Sequence, residues 1–526
     1  MMGSMKEDLP DLIAALLSPQ AYAHSVAQVS LVQTHISWVL LAGDFAHKIK
    51  KPLKLPFLDF STLALRHALC CDELWLNQRF APDIYLDVVP ITAGPAGPQF
   101  GGSGEPLEWA VKMRRFDEAA RLDHVCEQGE LVPAHLSGLA QTLVAFHQSA
   151  AVAPPGSPYG CAELVTTQAQ DNFTDLLRLC SGAKVQTRLL ALQRWTEKQA
   201  EQLASLMQTR QHSGWVRECH GDLHLANLVL LNGQVRMFDC LEFSPELRWI
   251  DVTSDIAFTY ADLLAHGRNG LANWFVNEVW SHSGDYEAAA LLRFYAVYRC
   301  LVRAKVAAIR SQQTHADAAD TADDADDADD ADDADDADDA DDAEVLAAIS
   351  LAECLAAPQR LQLSITHGLT GSGKTWASNG LLQSDTRAPT IRLRSDVQRK
   401  RLFGLEPLAN SGSGLASGIY GPQAHSQTYT HLQQQARQLL GAGWSVLVDA
   451  AFLQRGDRDA FAALAAELSA DFAILAPQAT PEQLRERILA RQAGAQDASE
   501  ATLAVLAQQL RVLEPLADEE VDVLVL

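Results

Sequence analysis

HGDLHLANLVLLNGQVRMFDC, residues 220–240, decides how the first half of this 526-residue chain is read. Asp222 and Asn227 stand five residues apart, and Asp239 follows after an apolar stretch interrupted by Asn232-Gly233. Val229–Leu231 and Val235–Phe238 flank that dipeptide as two short strands would, because Asn-Gly accepts the left-handed backbone of a tight hairpin turn. A carboxylate at Asp222 can orient or deprotonate a hydroxyl group. An amide at Asn227 and a second carboxylate at Asp239 are hard oxygen donors suited to magnesium beside phosphate. HGD or FD alone says little, and it is the full HGDxxxxN, hairpin and apolar-Asp sequence that carries the reading.

Upstream, Ile36–Leu41 and Phe45–Lys50 read as strands around a turn at 42–44, Ser61–Arg79 as a helix, and Ile84–Ile91 and Leu107–Arg114 as further strands. Helical patterns dominate from about 130 to 210. The pattern HGDLHLANLVL…RMFDCLEF…IDVTSDIAF resembles the aminoglycoside phosphotransferase/choline kinase branch of the protein-kinase-like fold. The resemblance implies an α+β domain with Asp222 as catalytic base, Asn227 and Asp239 as magnesium ligands and Asp255 as a structural aspartate. It also asks for a strand lysine on the nucleotide phosphates and a helix glutamate to hold it. Of Lys48, Lys50 and Lys51, Lys48 best matches the spacing, with Glu73 as partner. His224 and Glu242 stand beside the site and are expected to order the loop through hydrogen bonds, with direct catalysis as the alternative.

In the second half, Gly368-Leu369-Thr370-Gly371-Ser372-Gly373-Lys374-Thr375 is a complete GxxxxGKT between a strand and a helical run. Its glycines Gly368, Gly371 and Gly373 let backbone N–H groups, including that of Ser372, curl around phosphate. Lys374 neutralises charge, and Thr375 can ligate magnesium. Asp449, at the end of SVLVD, is the matching metal-side carboxylate. Leu361–Thr366, Thr390–Leu393, Ser445–Val448, Phe472–Leu475 and Val521–Leu526 are apolar runs separated by helices, which predicts an α/β domain with a five-stranded parallel sheet. Asp396, just past the second strand, should face the ligand crevice. This part resembles the small-kinase group of P-loop proteins. That resemblance implies Asp396 as base for an acceptor hydroxyl and Arg399 as a phosphate or substrate contact. Arg485, Arg487 and Arg491 would form a lid, with Arg491 the first choice; the alternative is a solvated helix face.

Sixteen aspartates lie between Asp317 and Asp342, and without them the formal charge of −26 becomes −10. The mildly acidic remainder predicts no general nucleic-acid-binding surface. ADD repeats seven times from Ala322 to Asp342, which predicts a solvated linker. The expected organisation is a kinase-like domain at 1–310, a disordered linker at 311–343 and a P-loop domain at 344–526. The whole chain resembles the bacterial bifunctional aminoglycoside phosphotransferase/ATP-binding proteins. Nine scattered cysteines without a CxxC pair predict reduced thiols. The beginning MMGSMKEDLPDL lacks a signal-like core and no apolar run reaches membrane-spanning length, so a cytoplasmic protein without a membrane partner is expected. Together these readings predict an ATP- and Mg2+-dependent phosphotransferase with two nucleotide sites, acting on a small-molecule or nucleic-acid-end hydroxyl. The alternative is a regulatory ATPase in which one nucleotide domain gates the other.

Overall fold

The structure, a computed structural model, describes residues 10–322, 331–521 and 524–525, apart from 35, 56, 57, 385–388, 414–416, 495–498 and 501. Its contacts divide the chain into two compact units. Met1–Leu131, Phe146–Cys161 and Thr209–Asp255 form the first, and Val132–Ala145, Ala162–Gln208 and Ile256–Leu526 the second.

The first unit is built on a six-stranded antiparallel sheet. Its strands are β1 (Val29–Gln33), β2 (Ser37–Ala42), β3 (Phe45–Lys50), β4 (Tyr85–Gly94), β5 (Gly97–Phe100) and β6 (Pro106–Arg114), in the order β1-β2-β3-β6-β4-β5. Alternation decides what each face of β3 meets. Ile49 belongs to an apolar cluster with Tyr22, Trp38, Leu40 and Ile91, and the His47 ring lies 4.3 Å from that of Phe100. Lys48 and Lys50 point the other way, toward helix α1 (Leu63–Gln78). Thr62 caps α1 by accepting the Leu65 N–H at 3.3 Å, which fixes where the helix begins.

Two small sheets carry the loops of interest. β7 (Val216–Glu218) pairs with β10 (Trp249–Asp251), and β8 (Leu228–Leu231) pairs with β9 (Gln234–Met237). Asn232 and Gly233, at φ 52° and 74°, make the two-residue turn read from the sequence.

The second unit contains the predicted parallel sheet: β11 (Gln362–Thr366), β12 (Thr390–Arg394), β13 (Ser445–Asp449), β14 (Asp471–Leu475) and β15 (Leu524–Val525), ordered β12-β13-β11-β14-β15. β11, β12 and β13 are buried over nearly their whole length, as strands covered on both faces must be. Helices preceding the sheet in sequence belong to the same unit. Among them are α2 (Asn269–Ser283), α3 (Ala289–Ala322) and α4 (Ala331–Ala356).

Two expectations are corrected in part. The compact units cut across the expected division at 310, because α2 hydrogen-bonds directly to the edge of the parallel sheet. The stretch 311–343, expected as a disordered linker, is helical over 311–322 and 331–343; residues 323–330 lie outside the described residues. Alanine is the best helix former, and helices already anchored by Ala304, Ala308, Val345 and Ile349 can propagate without a new nucleation step. None of the nine cysteines forms a disulfide among the described residues. Among the described residues no helix is long and apolar enough to cross a membrane.

Candidate functional site

In the first unit the loop following β7 is held by buried side chains. Asp255, fully buried, accepts from the His220 and Gly221 backbone N–H groups at 3.1 and 2.9 Å, and its Oδ2 lies 3.0 Å from His147 Nε2. Burial alone would raise the Asp255 pKa, but these hydrogen bonds and the neighbouring histidines hold it below the usual carboxylate value. His220 Nε2 lies 2.8 Å from the Phe238 carbonyl oxygen, and burial lowers the His220 pKa. This frame presents Asp222, whose side chain is 37% exposed and therefore reachable by a substrate. Asn227 Nδ2 donates to Asp222 O at 2.9 Å and to Asp222 Oδ2 at 3.1 Å, so of its amide atoms the oxygen is the one that could take a metal ion. His224 Nε2 is 3.4 Å from Asp222 Oδ2.

Asp239 follows β9 with φ 59°, in the left-handed region that Asp tolerates better than most residues. Its N–H donates to Tyr85 Oη at 2.9 Å, and Cys240 N–H donates to Asn77 Oδ1 at 2.9 Å. Lys48 Nζ lies 2.5 Å from Asp239 Oδ1 and 3.0 Å from Glu73 Oε1. The predicted lysine, glutamate and metal-ligand aspartate are thus joined. Burial works against a charged Lys48, but Asp239, Glu73 and Glu242 outweigh it and its pKa stands well above the ordinary lysine value. Carboxylate and amide oxygens at Asp239 and Asn227 form a donor set that fits magnesium.

The sequence did not single out Lys50. Its Nζ lies 2.6 Å from Glu73 Oε2 and also pairs with Glu242 Oε1, and all three residues are buried. The i,i+2 spacing of Lys48 and Lys50 on a strand was the available signal. Glu242, expected to order the loop, does so through this ion pair and through its carbonyl, which accepts from Arg248 Nη1 at 2.9 Å.

In the second unit GxxxxGKT wraps from β11 into α5 (Lys374–Ser384). Lys374 Nζ donates to the Gly368 and Leu369 carbonyls at 2.9 and 2.8 Å. Arg487, on α8 (Pro481–Gly494), donates to the Gly371 and Ser372 carbonyls at 3.2 and 3.3 Å, so this arginine of the expected lid reaches the loop. The side chain of Arg491, first choice from the sequence, lies outside the described residues. Gln509 Oε1 accepts the Thr370 N–H at 2.7 Å, a contact no motif announces. Asp449 Oδ2 and Ser372 Oγ are buried without a hydrogen-bond partner. Such orphans are costly unless a ligand supplies the missing contact, so this donor set also fits nucleotide phosphate and a magnesium ion.

One cleft of about 1160 Å³ is lined by Gly371–Thr375, Asp396, Arg399, Asp449 and Arg487. β12 ends at Arg394, and Asp396, the second residue of α6 (Ser395–Leu402), lines this cleft. Arg399 lies over the Tyr420 ring at 5.0 Å and donates from Nε to Thr428 Oγ1 at 3.4 Å. The phosphate-loop motif, Asp449, Asp396 and Arg399, all singled out in the sequence, therefore line one cleft.

Residues 363–516 match a family model described as an AAA domain. Uncharacterized proteins of Mycobacterium tuberculosis H37Rv and Mycobacterium bovis are each 29% identical over 493 residues, covering 92% of this chain and 91% of their own. Among solved structures, a choline/ethanolamine kinase family protein from Mesorhizobium loti covers 65% of this chain and 97% of its own, at 11% identity and TM-score 0.33. An ethanolamine kinase of Plasmodium vivax covers 63% and 82%, at 9% identity and TM-score 0.36. A gluconokinase from Sinorhizobium meliloti covers 32% and 82%, at 17% identity and TM-score 0.23. By its own sheets and loops the chain combines a protein-kinase-like α+β fold with a P-loop α/β domain.

Proposed function

We propose that the protein is an ATP-dependent phosphotransferase of the cytoplasm with two nucleotide sites, each directing a γ-phosphate to a hydroxyl acceptor. The observation that carries this reading is the shared cleft of the second unit, where phosphate loop and Asp396 line one space. A nucleotide switch needs the loop; it has no need of an acceptor-side carboxylate and arginine facing it. The first unit supports the same chemistry through Lys48, Asp239, Asn227 and the accessible Asp222. The finer resemblance to aminoglycoside phosphotransferases names an enzyme group without fixing an acceptor here, and small-molecule or nucleic-acid-end hydroxyls fit the chemistry.

In this reading Asp222 and Asp396 accept the proton of the attacking hydroxyl and align its oxygen. Lys48 and Lys374 hold phosphate oxygens, Arg487 adds positive charge beside the loop, and Arg491 extends the same helix. Asn227 and Asp239 would hold one magnesium ion, and Thr375 and Asp449 another. When bound, magnesium neutralises charge on the transferring phosphate.

The test is a screen of hydroxyl metabolites and nucleic-acid ends for ATP-dependent phosphorylation, repeated with Asp222→Asn and Asp396→Asn. Each substitution should lower turnover at its own site by roughly 10²–10⁴ while nucleotide affinity stays within a few-fold. Loss with Asp396→Asn alone would make the first unit a nucleotide or substrate sensor. Full turnover in both variants would overturn the assignment of bases.

A further inference from the structure

β12 is an edge strand of the parallel sheet, and an edge presents backbone N–H and C=O groups with no neighbouring strand. Here helix α2 supplies the partners through two side chains. Asn273 Oδ1 accepts the Thr390 N–H at 3.1 Å, while its Nδ2 donates to the Leu382 carbonyl at 3.0 Å. One turn later, Asn277 Nδ2 donates to the Thr390 carbonyl at 2.8 Å, and its Oδ1 accepts the Arg392 N–H at 2.7 Å. Both asparagines are buried. A carboxamide carries one acceptor and one donor group, as a peptide unit does, so asparagines at i and i+4 on one helix face can stand in for a short length of strand.

The grip continues past the strand. Arg392 Nη2 lies 3.7 Å from Glu278 Oε1, and Arg401 Nη2 donates to the Ser281 and His282 carbonyls at 2.6 and 3.1 Å. α2 therefore holds β12 at one end and α6 at the other. Between these points the chain carries Arg394, Asp396 and Arg399 into the cleft. Apolar packing would cover the same edge without fixing it lengthwise. Paired amides fix its register, and a slip by one residue would move every side chain by about 3.3 Å and onto the opposite face.

We infer that α2 is a positioning element of the phosphate-loop site, with Asn273 and Asn277 holding β12 in the register that places Asp396 in the cleft with Lys374 and Asp449. The inference rests on Asp396 acting as acceptor base there. Chemistry in the P-loop fold then depends on a helix that lies, in sequence, within the kinase-like half.

The test uses the full-length protein with Asp222→Asn silencing the first site. ADP formation is followed with a deproteinised small-molecule extract as acceptor pool, and ATP-analogue affinity at the phosphate loop is measured by calorimetry. Asp396→Asn is made first; if it leaves turnover intact, the phosphotransfer reading of this site fails and the inference with it. Asn277→Ala should lower kcat about tenfold or more, since displacements near 1 Å carry such penalties, with ATP affinity held within about threefold. Glu278→Gln leaves no buried backbone group unpaired, although it removes the carboxylate facing buried Arg392; it should cost less stability than Asn277→Ala and lower kcat about two- to fivefold. It decides the matter if Asn277→Ala does not fold. Should Asp396→Asn lose turnover while the folded α2 variants keep wild-type kcat, whatever their melting temperatures, α2 only packs and the inference is overturned.

Discussion

Lys48 and Lys50 share one face of a strand and one glutamate, yet they hold different parts of the site. Each takes one oxygen of Glu73; Lys48 adds Asp239, and Lys50 adds Glu242. The loop 239–242 is thus tied to β3 at both ends. Replacing Lys50 with Met would leave Glu73 and Glu242 buried with one cation between them, a kind of loss that costs about 3–5 kcal/mol. Lys50→Met should unfold at markedly lower denaturant concentration, and magnesium should stabilise its first-unit nucleotide complex less than in wild type. Equal stability in urea melts would refute this. His47 gives a pH prediction on the other face of the same strand. Burial first, then the charges of Lys112 and His24, push its pKa down from 6.5 to about 3. Because the folded value lies below the unfolded one, protonation favours unfolding. Stability from this group is complete above about pH 6.5 and falls as pH drops toward 3, by about 1.4 kcal/mol per pH unit between them. His47→Phe should flatten that part of the curve of stability against pH. An unchanged slope would show that His47 is not the group responsible.

At the scale of elements, backbone approach limits what the loops tolerate. Gly371 has φ 82°, and a Cβ there would lie 2.8 Å from the Leu484 carbonyl oxygen on α8. Gly371→Ala carries the left-handed penalty of about 1–2 kcal/mol and must also displace a helix backbone. It should lower the melting temperature and weaken ATP at the phosphate loop at least about tenfold, which is about 1.4 kcal/mol of binding. Calorimetry giving wild-type affinity would contradict it. This glycine was legible because the motif demands it. The Asn232-Gly233 hairpin and the five parallel strands were legible for a similar reason, since local residues dictate local conformation. β1 and the strand Gly97–Phe100 were missed: one is half exposed, and the other reads GPQF, with the glycine and proline of a turn. Nor does any local pattern announce that α2 packs on α5, where a Cβ at Gly270 would lie 1.8 Å from Gln383 O. The stretch Pro481–Gly494 was legible as a helix, but the contact of Arg487 with the loop depended on how α8 docks.

At the scale of the molecule, the motifs read as two modules, whereas the contacts do not respect the sequence boundary between them. Trp444, buried in the P-loop fold, donates its Nε1–H to the Ala289 carbonyl at 2.7 Å, and Arg293 donates to the Gly443 carbonyl at 2.6 Å. Long-range hydrogen bonds of this kind depend on tertiary geometry, which periodicity does not encode. The candidate residues nevertheless divide cleanly: Lys48, Asp222, Asn227 and Asp239 all lie in the first unit, and Lys374, Asp396 and Asp449 all lie in the second. Titration with a non-hydrolysable ATP analogue and magnesium should therefore approach two equivalents per chain. Lys374→Ala removes the ammonium beside the phosphate loop without touching the first unit, and should leave one equivalent. Asp239→Asn replaces the first-unit carboxylate proposed to hold magnesium and should weaken the other equivalent, most strongly at limiting magnesium. The double variant should bind neither tightly. Thermal shift gives an independent reading, because a ligand at a hundredfold excess over its Kd stabilises the unit that binds it by about 2.7 kcal/mol. Each single variant should lose the part of the nucleotide-induced shift that belongs to its own unit. A stoichiometry of one in folded wild-type protein would mean that one of the two lysine–carboxylate sites does not bind nucleotide, and the two-site function would fall with it.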